Sequence, residues 1–214
     1  MKKILITAAT DFELSGLQSV SNKFKQYEIE LLATGVGMLS TAFHLTKHIL
    51  ANKPDVVFQM GIAGCFNKEM PLTSVVIIEK EFIADLGVEE NNEWKDIFDL
   101  GLAEKDLNPF TSKGLENKNI NLFTSSNFSK AIGITVNEIT TNSNRIALLA
   151  NKYKPVSESM EGGALHFVCN SLQVPYLQIR GMSNYVGERD KSKWEINKAI
   201  TNTHQTIQQL INDL

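Results

Sequence analysis

The chain has 214 residues, 43% hydrophobic and 21% charged, a balance that suits a water-soluble globular protein with one sizeable core. A net charge of −3 gives no basic footprint for nucleic acid or an anionic membrane, and no stretch approaches the roughly 18 apolar residues of a membrane span. Cys65 and Cys169 are lone thiols and the apolar run after Met-Lys-Lys is too short for a signal peptide, so the expected compartment is the cytoplasm.

Along the chain, Ile4 to Ala8 reads as a first strand, followed by a polar turn at Thr10-Asp11 and a helical pattern through Phe12, Leu14 and Leu17. Tyr27 to Ala33 alternates charged and apolar residues as a half-buried strand does. Thr34-Gly35-Val36-Gly37 then turns into a helix carrying Leu39, Ala42, Phe43, Leu45 and Ile49, which Pro54-Asp55 ends. Val56-Val57-Phe58 starts a buried strand running into Gly61-Ile62-Ala63-Gly64, and Thr73 to Ala84 reads as a long strand. Residues 85 to 119 have little clean period and read as a long loop or excursion. Ala131 to Val136 resumes strand character, Arg145 to Tyr153 and Gly162 to Leu172 are helical, and Pro175 to Arg180 is a buried strand. A last helix runs from about Trp194 to the end. This alternation predicts a single domain over residues 1–214 with a three-layer α/β fold, its central, largely parallel or mixed sheet flanked by helices.

Three kinds of segment carry candidate chemistry. Gly35-Val36-Gly37 and Gly61-Ile62-Ala63-Gly64 lack the third glycine of a dinucleotide fingerprint and read as tight strand-to-helix turns that let backbone approach a ligand. In Glu158-Ser159-Met160-Glu161-Gly162-Gly163, carboxylates in a first helical turn suit the helix dipole and read as capping. Each glycine nevertheless costs about 1 kcal/mol of helix propensity relative to alanine, which implies close packing or backbone access there. Gln178 to Tyr185 leaves a buried strand for a polar turn, where Ser183 and Asn184 are either turn formers or ligand contacts at a strand's carboxyl end. His44 and His48 share a helix face but have no acidic or Cys partner nearby in sequence, so neither a metal nor another cofactor is expected.

Taken together, these segments resemble the nucleoside phosphorylase superfamily, and in particular its hydrolytic branch of methylthioadenosine/S-adenosylhomocysteine nucleosidases and futalosine hydrolases. The resemblance covers nearly the whole chain in order. Ile4 through Glu13 resembles the N-terminal strand and its glutamate. Thr34-Gly35-Val36-Gly37 and Gly61-Ile62-Ala63-Gly64 resemble the two ligand loops, Met160-Glu161-Gly162 the ribose-binding motif, and Ile179-Arg180 to Asn184 the purine-binding strand end. It implies a phosphorylase/hydrolase-like fold and a purine nucleoside as substrate. It also implies that Glu13 activates water, Glu161 accepts from ribose hydroxyls, and Met160 packs on the sugar. Asn184 falls on the purine-reading position, with Arg180 and Ser183 supporting it, Gly61, Ile62 and Ala63 on a ligand loop, and Trp194 on an aromatic that closes over the ligand. N-glycoside cleavage passes through an oxocarbenium-like sugar, for which a positioned base and a nearby carboxylate are suited.

Departures from the family pattern narrow the substrate. Hexameric phosphorylases carry Arg and Ser where this chain has Gln59 and Ile62, so a phosphate co-substrate would lose its charge clamp and water is the expected nucleophile. Adenine-specific nucleosidases use Asp at Asn184. An Asn amide accepts from N7–H and donates to a 6-oxo group, which suits hypoxanthine. A 6-oxopurine with hydrolysis resembles the futalosine hydrolases of menaquinone biosynthesis, which release hypoxanthine. The runs Ser183-Asn184-Tyr185-Val186 to Arg189, Ala84-Asp85-Leu86-Gly87 and Phe98-Asp99-Leu100-Gly101 resemble the same family. One mismatch is Ser159, where the nucleosidases place a carboxylate; here Glu158 stands one position earlier.

The alternatives are a methylthioadenosine/S-adenosylhomocysteine nucleosidase, an inosine-type phosphorylase, and a non-catalytic nucleoside-binding protein on the same fold. The family resemblance further implies a homodimer or larger homo-oligomer, with the apolar residues around Phe98 and Leu100 as a candidate contact.

Overall fold

The computed structural model describes residues 1–122 and 128–214. In chain order its strands and helices are β1 (Lys2–Ala8), α1 (Asp11–Leu14), α2 (Val20–Lys23), β2 (Tyr27–Ala33), α3 (Met38–Asn52), β3 (Val56–Cys65) and β4 (Val75–Ile83). The short strands β5 (Gly87–Glu90), β6 (Glu93–Asp96) and β7 (Leu115–Glu116) come next. They are followed by β8 (Lys130–Thr135), α4 (Ser143–Tyr153), β9 (Ser157–Ser159), α5 (Gly162–Leu172), β10 (Tyr176–Tyr185) and α6 (Ile196–Asn212).

One mixed sheet takes the strand order β10-β4-β8-β9-β3-β1-β2, with β7 attached to β4. Because β10 also pairs with β3, the five strands β10, β4, β8, β9 and β3 close on themselves, while β1 and β2 extend from β3. The β1–β2, β1–β3, β3–β10, β4–β8 and β8–β9 pairs are parallel; the β10–β4 and β3–β9 pairs are antiparallel.

Successive side chains of a strand point to opposite faces, so strands apolar at every position must be covered on both. Leu5 and Val57 face α3 and α5, where they pack with Leu45, Ile49, Leu165 and Tyr176. Ile4, Ile6 and Phe58 face the other way and pack with Leu14 and with Ile207 and Leu210 of α6. The result is a three-layer α/β fold with a central mixed sheet flanked by helices.

Several local expectations are corrected. The helical pattern from Phe12 to Leu17 breaks into the four-residue α1 and a 3-10 turn at Ser15–Leu17. Gly61-Ile62-Ala63-Gly64 is not a turn but the second half of β3, held in register with Arg180 to Asn184 of β10. Ser183 to Tyr185 likewise remain in strand, after a register irregularity between Met182 and Asn184. Glu158 and Ser159, expected in a first helical turn, form β9. In the three strand cases tertiary pairing overrides local polarity, because an unpaired buried strand end leaves backbone groups without partners.

Residues 85–119 are also more ordered than a loop. β5 and β6 form an antiparallel hairpin across Asn91 and Asn92, both at positive φ (53° and 61°), which suits a two-residue primed turn. Trp94 pins this hairpin to α4: its Nε1 donates to Tyr153 Oη at 3.0 Å, and the Arg145 guanidinium lies 3.8 Å over its ring. Phe98 packs edge-on to Phe110 within the excursion, with ring centroids 5.1 Å apart.

Candidate active site

The first acid is built locally. Thr10 leaves β1 in an extended conformation and caps α1: its hydroxyl accepts from Glu13 N, while Thr10 N and Oγ1 donate back to Glu13 Oε2 at 3.1 and 2.9 Å. This reciprocal capping box fixes Glu13 with its other oxygen, Oε1, accepting from Ile62 N at 3.3 Å. On the outer side His204 Nε2 lies 2.6 Å from the Glu13 carbonyl, so α6 also ties down the turn. The Thr10-x-x-Glu13 spacing was a readable signal for this geometry.

Glu161 stands at the N-cap of α5 but does not cap it. Ser159 Oγ accepts from Gly162 N at 3.3 Å and Thr135 Oγ1 accepts from Gly163 N at 2.6 Å, so hydroxyls satisfy the helix start in place of the expected carboxylates. Glu161 Oε1 instead accepts from Gly37 N at 3.0 Å, and Oε2 lies 3.8 Å from Arg180 Nη1.

Arg180 is buried behind this acid, 2% exposed, and its Nη2 donates to Gln59 Oε1 at 2.7 Å. It has space because Gly61 is its register partner on β3. A Cβ at Gly61 would stand 2.6 Å from Arg180 Nη1 and 3.0 Å from Glu13 Oε1.

At the end of β10, Ser183 Oγ donates to Asn184 Oδ1 at 2.8 Å, and Asn184 Nδ2 donates to the Tyr185 carbonyl at 3.0 Å. A carbonyl can only accept, so the orientation of the amide is fixed by its partners. Oδ1 and Nδ2 each keep capacity for one further hydrogen bond. Glu195 N donates to the Ser183 carbonyl at 2.8 Å, which holds Trp194 beside the strand end.

Glu13, Ile62, Ala63, Met160, Glu161, Ser183, Asn184 and Trp194 line one cleft of about 380 Å³, a size that suits a nucleoside-sized ligand. Gly61 and Arg180 do not line it; they lie behind it, where they shape and support Glu161 and Glu13. The cleft wall also contains Glu158, which the sequence had placed in a first helical turn and not at the ligand. Its Oε1 accepts from Thr140 N at 3.2 Å, and burial, with Asp85 nearby, holds its carboxyl above the usual range. Three carboxylates therefore face the cleft, and no lysine or arginine lines it among the described residues.

Behind Arg180 lies a buried polar layer that sequence reasoning also passed over. Glu81 of β4, Gln178 of β10 and His166 of α5 are each completely buried or nearly so. Thr135 Oγ1 donates to Glu81 Oε1 at 2.8 Å, and burial pushes the Glu81 carboxyl up to about 7. Burial likewise pushes His166 down to about 3, leaving it neutral, with Nδ1 2.9 Å from the Leu115 carbonyl. The available signal was a glutamine and an arginine alternating within the apolar run Tyr176 to Met182.

A family model described as the phosphorylase superfamily matches residues 15–212. The futalosine hydrolase of Thermus thermophilus is 28% identical over 182 residues, covering 84% of this chain and 80% of its own. That of Streptomyces coelicolor is 30% identical over 180 residues, covering 80% and 73%. Among solved structures, a futalosine hydrolase mutant of Helicobacter pylori superposes over the whole of both chains with a TM-score of 0.82 at 17% identity.

Proposed function

The chain belongs to the phosphorylase superfamily, where it stands with the nucleosidases, and we propose that it hydrolyses the N-glycosidic bond of a 6-oxopurine nucleoside, futalosine, releasing hypoxanthine. The observation that carries hydrolysis is the charge of the cleft. A phosphate co-substrate would enter beside Glu13, Glu158 and Glu161 with no cation lining the wall to receive it, and Arg180 is already committed to Gln59 and Glu161. Water carries no such penalty.

In this reading Glu161 accepts from the ribose hydroxyls, Met160 lies against the sugar, and Ile62 and Ala63 supply backbone close to it. The C1′–N9 bond breaks as the oxygen of water bonds to C1′ and Glu13 takes the proton that water gives up; the base leaves with the electron pair of the broken bond and gains its N7 proton from solvent, to which Glu13 returns its own. Such base catalysis is worth about 10²–10⁴-fold. The negative charge of Glu161 favours the cationic sugar of the transition state. The free lone pair of Asn184 Oδ1 accepts from N7–H of the departing base, and the free Nδ2 hydrogen donates to O6. Ser183 fixes that polarity by occupying the other Oδ1 lone pair. Trp194 covers the sugar side.

The same proposal takes residues 1–214 as one nucleoside phosphorylase-like domain, acting in the cytoplasm as a homodimer or larger homo-oligomer. Among the described residues no helix is long and apolar enough to cross a membrane. Phe12 and Val36 are exposed where they border the cleft, and Leu39 and Phe43 continue this apolar surface along α3. This surface is a better contact candidate than Phe98, which packs within its own excursion.

Purified protein assayed with futalosine, inosine and methylthioadenosine, with and without phosphate, tests the reading. Hypoxanthine release from futalosine in phosphate-free buffer is expected. Release only with phosphate would indicate a phosphorylase, preferred turnover of methylthioadenosine a 6-aminopurine nucleosidase, and no release from any nucleoside a binding protein.

A further inference from the structure

Glu158 is the cleft acid for which the hydrolytic step has no use. Only 8% of it is exposed, and it lines the same wall as Val136, Ile139 and Asn184. Its Oε1 accepts from Thr140 N at 3.2 Å, whereas Oε2 is buried with no hydrogen-bond partner among the described residues. Burial works against the charged form and the nearby Thr140 hydroxyl for it, yet no hydrogen bond reaches Oε2. The carboxyl is therefore one donor short, which is unfavourable for a buried acid. No lysine or arginine lines the cleft among the described residues, so the donor is left to the ligand.

The strand register shows which part of a nucleoside this carboxyl meets. Glu13 and Glu161 stand at the level of Gly61 and Ile62: Glu13 Oε1 accepts from Ile62 N, and Glu161 faces Arg180, the register partner of Gly61. Glu158 pairs further along β3, with Gly64, and Asn184 pairs with the same glycine from the other side. At about 3.3 Å per residue, both lie roughly 7–10 Å beyond the two sugar-side acids. Directly opposed residues of antiparallel strands share a face, so Glu158 lies on the face of Gly64 that bears no side chain. Asn184 borders that face too, since a Cβ at Gly64 would stand 3.7 Å from its Nδ2. With β3 between them the two backbones are roughly 10 Å apart. Gly64, bordered by Val186, puts no side chain between the amide and the carboxyl.

The polarity of the amide is already set. The Tyr185 carbonyl only accepts, so Asn184 Nδ2 is the donor, with one hydrogen left for O6 of the base. A purine with oxygen at position 6 carries hydrogen on N1, the next ring atom. The group beside an O6 donor must therefore accept, and Glu158 is an acceptor that lacks its donor.

We propose that Glu158 is a specificity-determining residue, its carboxylate accepting from N1–H of a 6-oxopurine while Asn184 takes N7–H and O6. This rests on the reading of Asn184 as the amide that contacts the base. The terminal torsion of a carboxyl is soft, so it turns to the base while one oxygen stays on Thr140 N. A 6-aminopurine has a lone pair at N1 and would set it against the carboxylate. Adenine nucleosides are thus refused at two points along one edge, each leaving buried polar groups unpaired.

The test is calorimetric binding of hypoxanthine and adenine to the wild type and to Glu158→Gln. Thr140 N needs an acceptor, so the new side chain keeps its oxygen there and presents Nε2, a donor, to the base. The Kd for hypoxanthine should rise at least tenfold, the size of one charge-assisted contact, while that for adenine stays level or falls. An unchanged ratio of the two overturns the proposal. A neutral Glu158, which glutamine would mimic, gives that result, and so does a purely structural role, which would weaken both bases alike.

If Glu158→Gln does not fold, the wild type decides. The base 1-methylhypoxanthine keeps O6 and N7 but has no N1–H, and should bind at least tenfold more weakly than hypoxanthine; equal binding overturns the inference. Hydrolysis assays distinguish this failure from that of the functional reading. Hypoxanthine released from futalosine, with an unchanged base ratio in the variant, sinks only the role of Glu158. No release from any nucleoside, with hypoxanthine binding still lost in the variant, sinks the hydrolase and keeps the base contact. A wild type that binds neither base overturns both.

Discussion

The backbone N–H of Gly37 donates to Glu161 Oε1 at 3.0 Å, tying the loop after β2 to the start of α5. Gly37 sits at φ 92° and ψ 161°, a region essentially closed to residues with a Cβ. Nothing obstructs a Cβ there sterically, so the requirement is one of backbone conformation. Gly37→Ala should therefore cost about 1–3 kcal/mol in backbone strain or release Glu161 from its donor. A raised KM for the nucleoside with a lowered melting temperature is expected; kinetics and melting indistinguishable from wild type would remove this contact from the account.

Glu13→Gln keeps the side-chain shape and the contacts with Thr10. Base release should fall by about 10²–10⁴-fold, while calorimetry should give a Kd for hypoxanthine within a few-fold of wild type. Normal turnover by this variant would exclude Glu13 as the base.

Asn184→Asp replaces an amide donor with an acceptor. Ser183 can still donate to it, but the contact to a 6-oxo group is lost and one to a 6-amino group becomes possible. The ratio of kcat/KM for methylthioadenosine to that for futalosine should rise by at least tenfold. An unchanged ratio would make Asn184 a structural residue.

Gly162→Ala would normally favour a helix by about 1 kcal/mol. Here the methyl group meets the Gln178 amide at less than 3.0 Å, so the substitution should instead destabilise by about 1–3 kcal/mol in chemical denaturation. A stabilised variant would show that the paired glycines of this motif are not required by packing.

His166 and Glu81 give stability opposite pH slopes. Unfolded His166 takes up a proton below 6.5, but the buried ring does so only near 3, so its contribution is present above 6.5 and is lost as pH falls toward 3. Folded Glu81 keeps its proton up to about 7 although the unfolded side chain loses it near 4.5, so its contribution is present below 4.5 and is lost as pH rises toward 7. Between 4.5 and 6.5 the two oppose each other. The melting temperature of Glu81→Gln minus that of wild type should accordingly increase from pH 4.5 to 7; a constant difference would mean that Glu81 has an ordinary titration.

The layered fold was legible because its signals are local. Ile4 to Ala8, Tyr27 to Ala33 and Gly162 to Leu172 keep one period over enough residues to identify strand or helix, and the structure gives these segments those forms. The hairpin at Asn91-Asn92 was less legible: its strands are short and charged, and they are held by Trp94 reaching Tyr153, a contact between residues 59 positions apart. Gly61 to Gly64 read as a turn because glycine locally favours one. Pairing of β3 with β10 outweighs that preference, and the missing side chain at Gly61 serves Arg180 from the next strand.

By itself the sequence determined the residue types and their order. It showed glutamates at 13 and 161, an amide in place of an acid at 184, and glutamine and isoleucine at 59 and 62 where a phosphate clamp would need arginine and serine. Those choices follow from side-chain chemistry, which is visible one residue at a time. Only the tertiary structure decided which of these groups share a cleft, because hydrogen bonding and charge depend on distances across strands far apart in the chain. It moved Arg180 from the ligand to the layer behind Glu161, brought Glu158 into the wall, and set Glu81 and His166 beneath the floor. Burial there controls protonation, and burial is a property of the packed molecule.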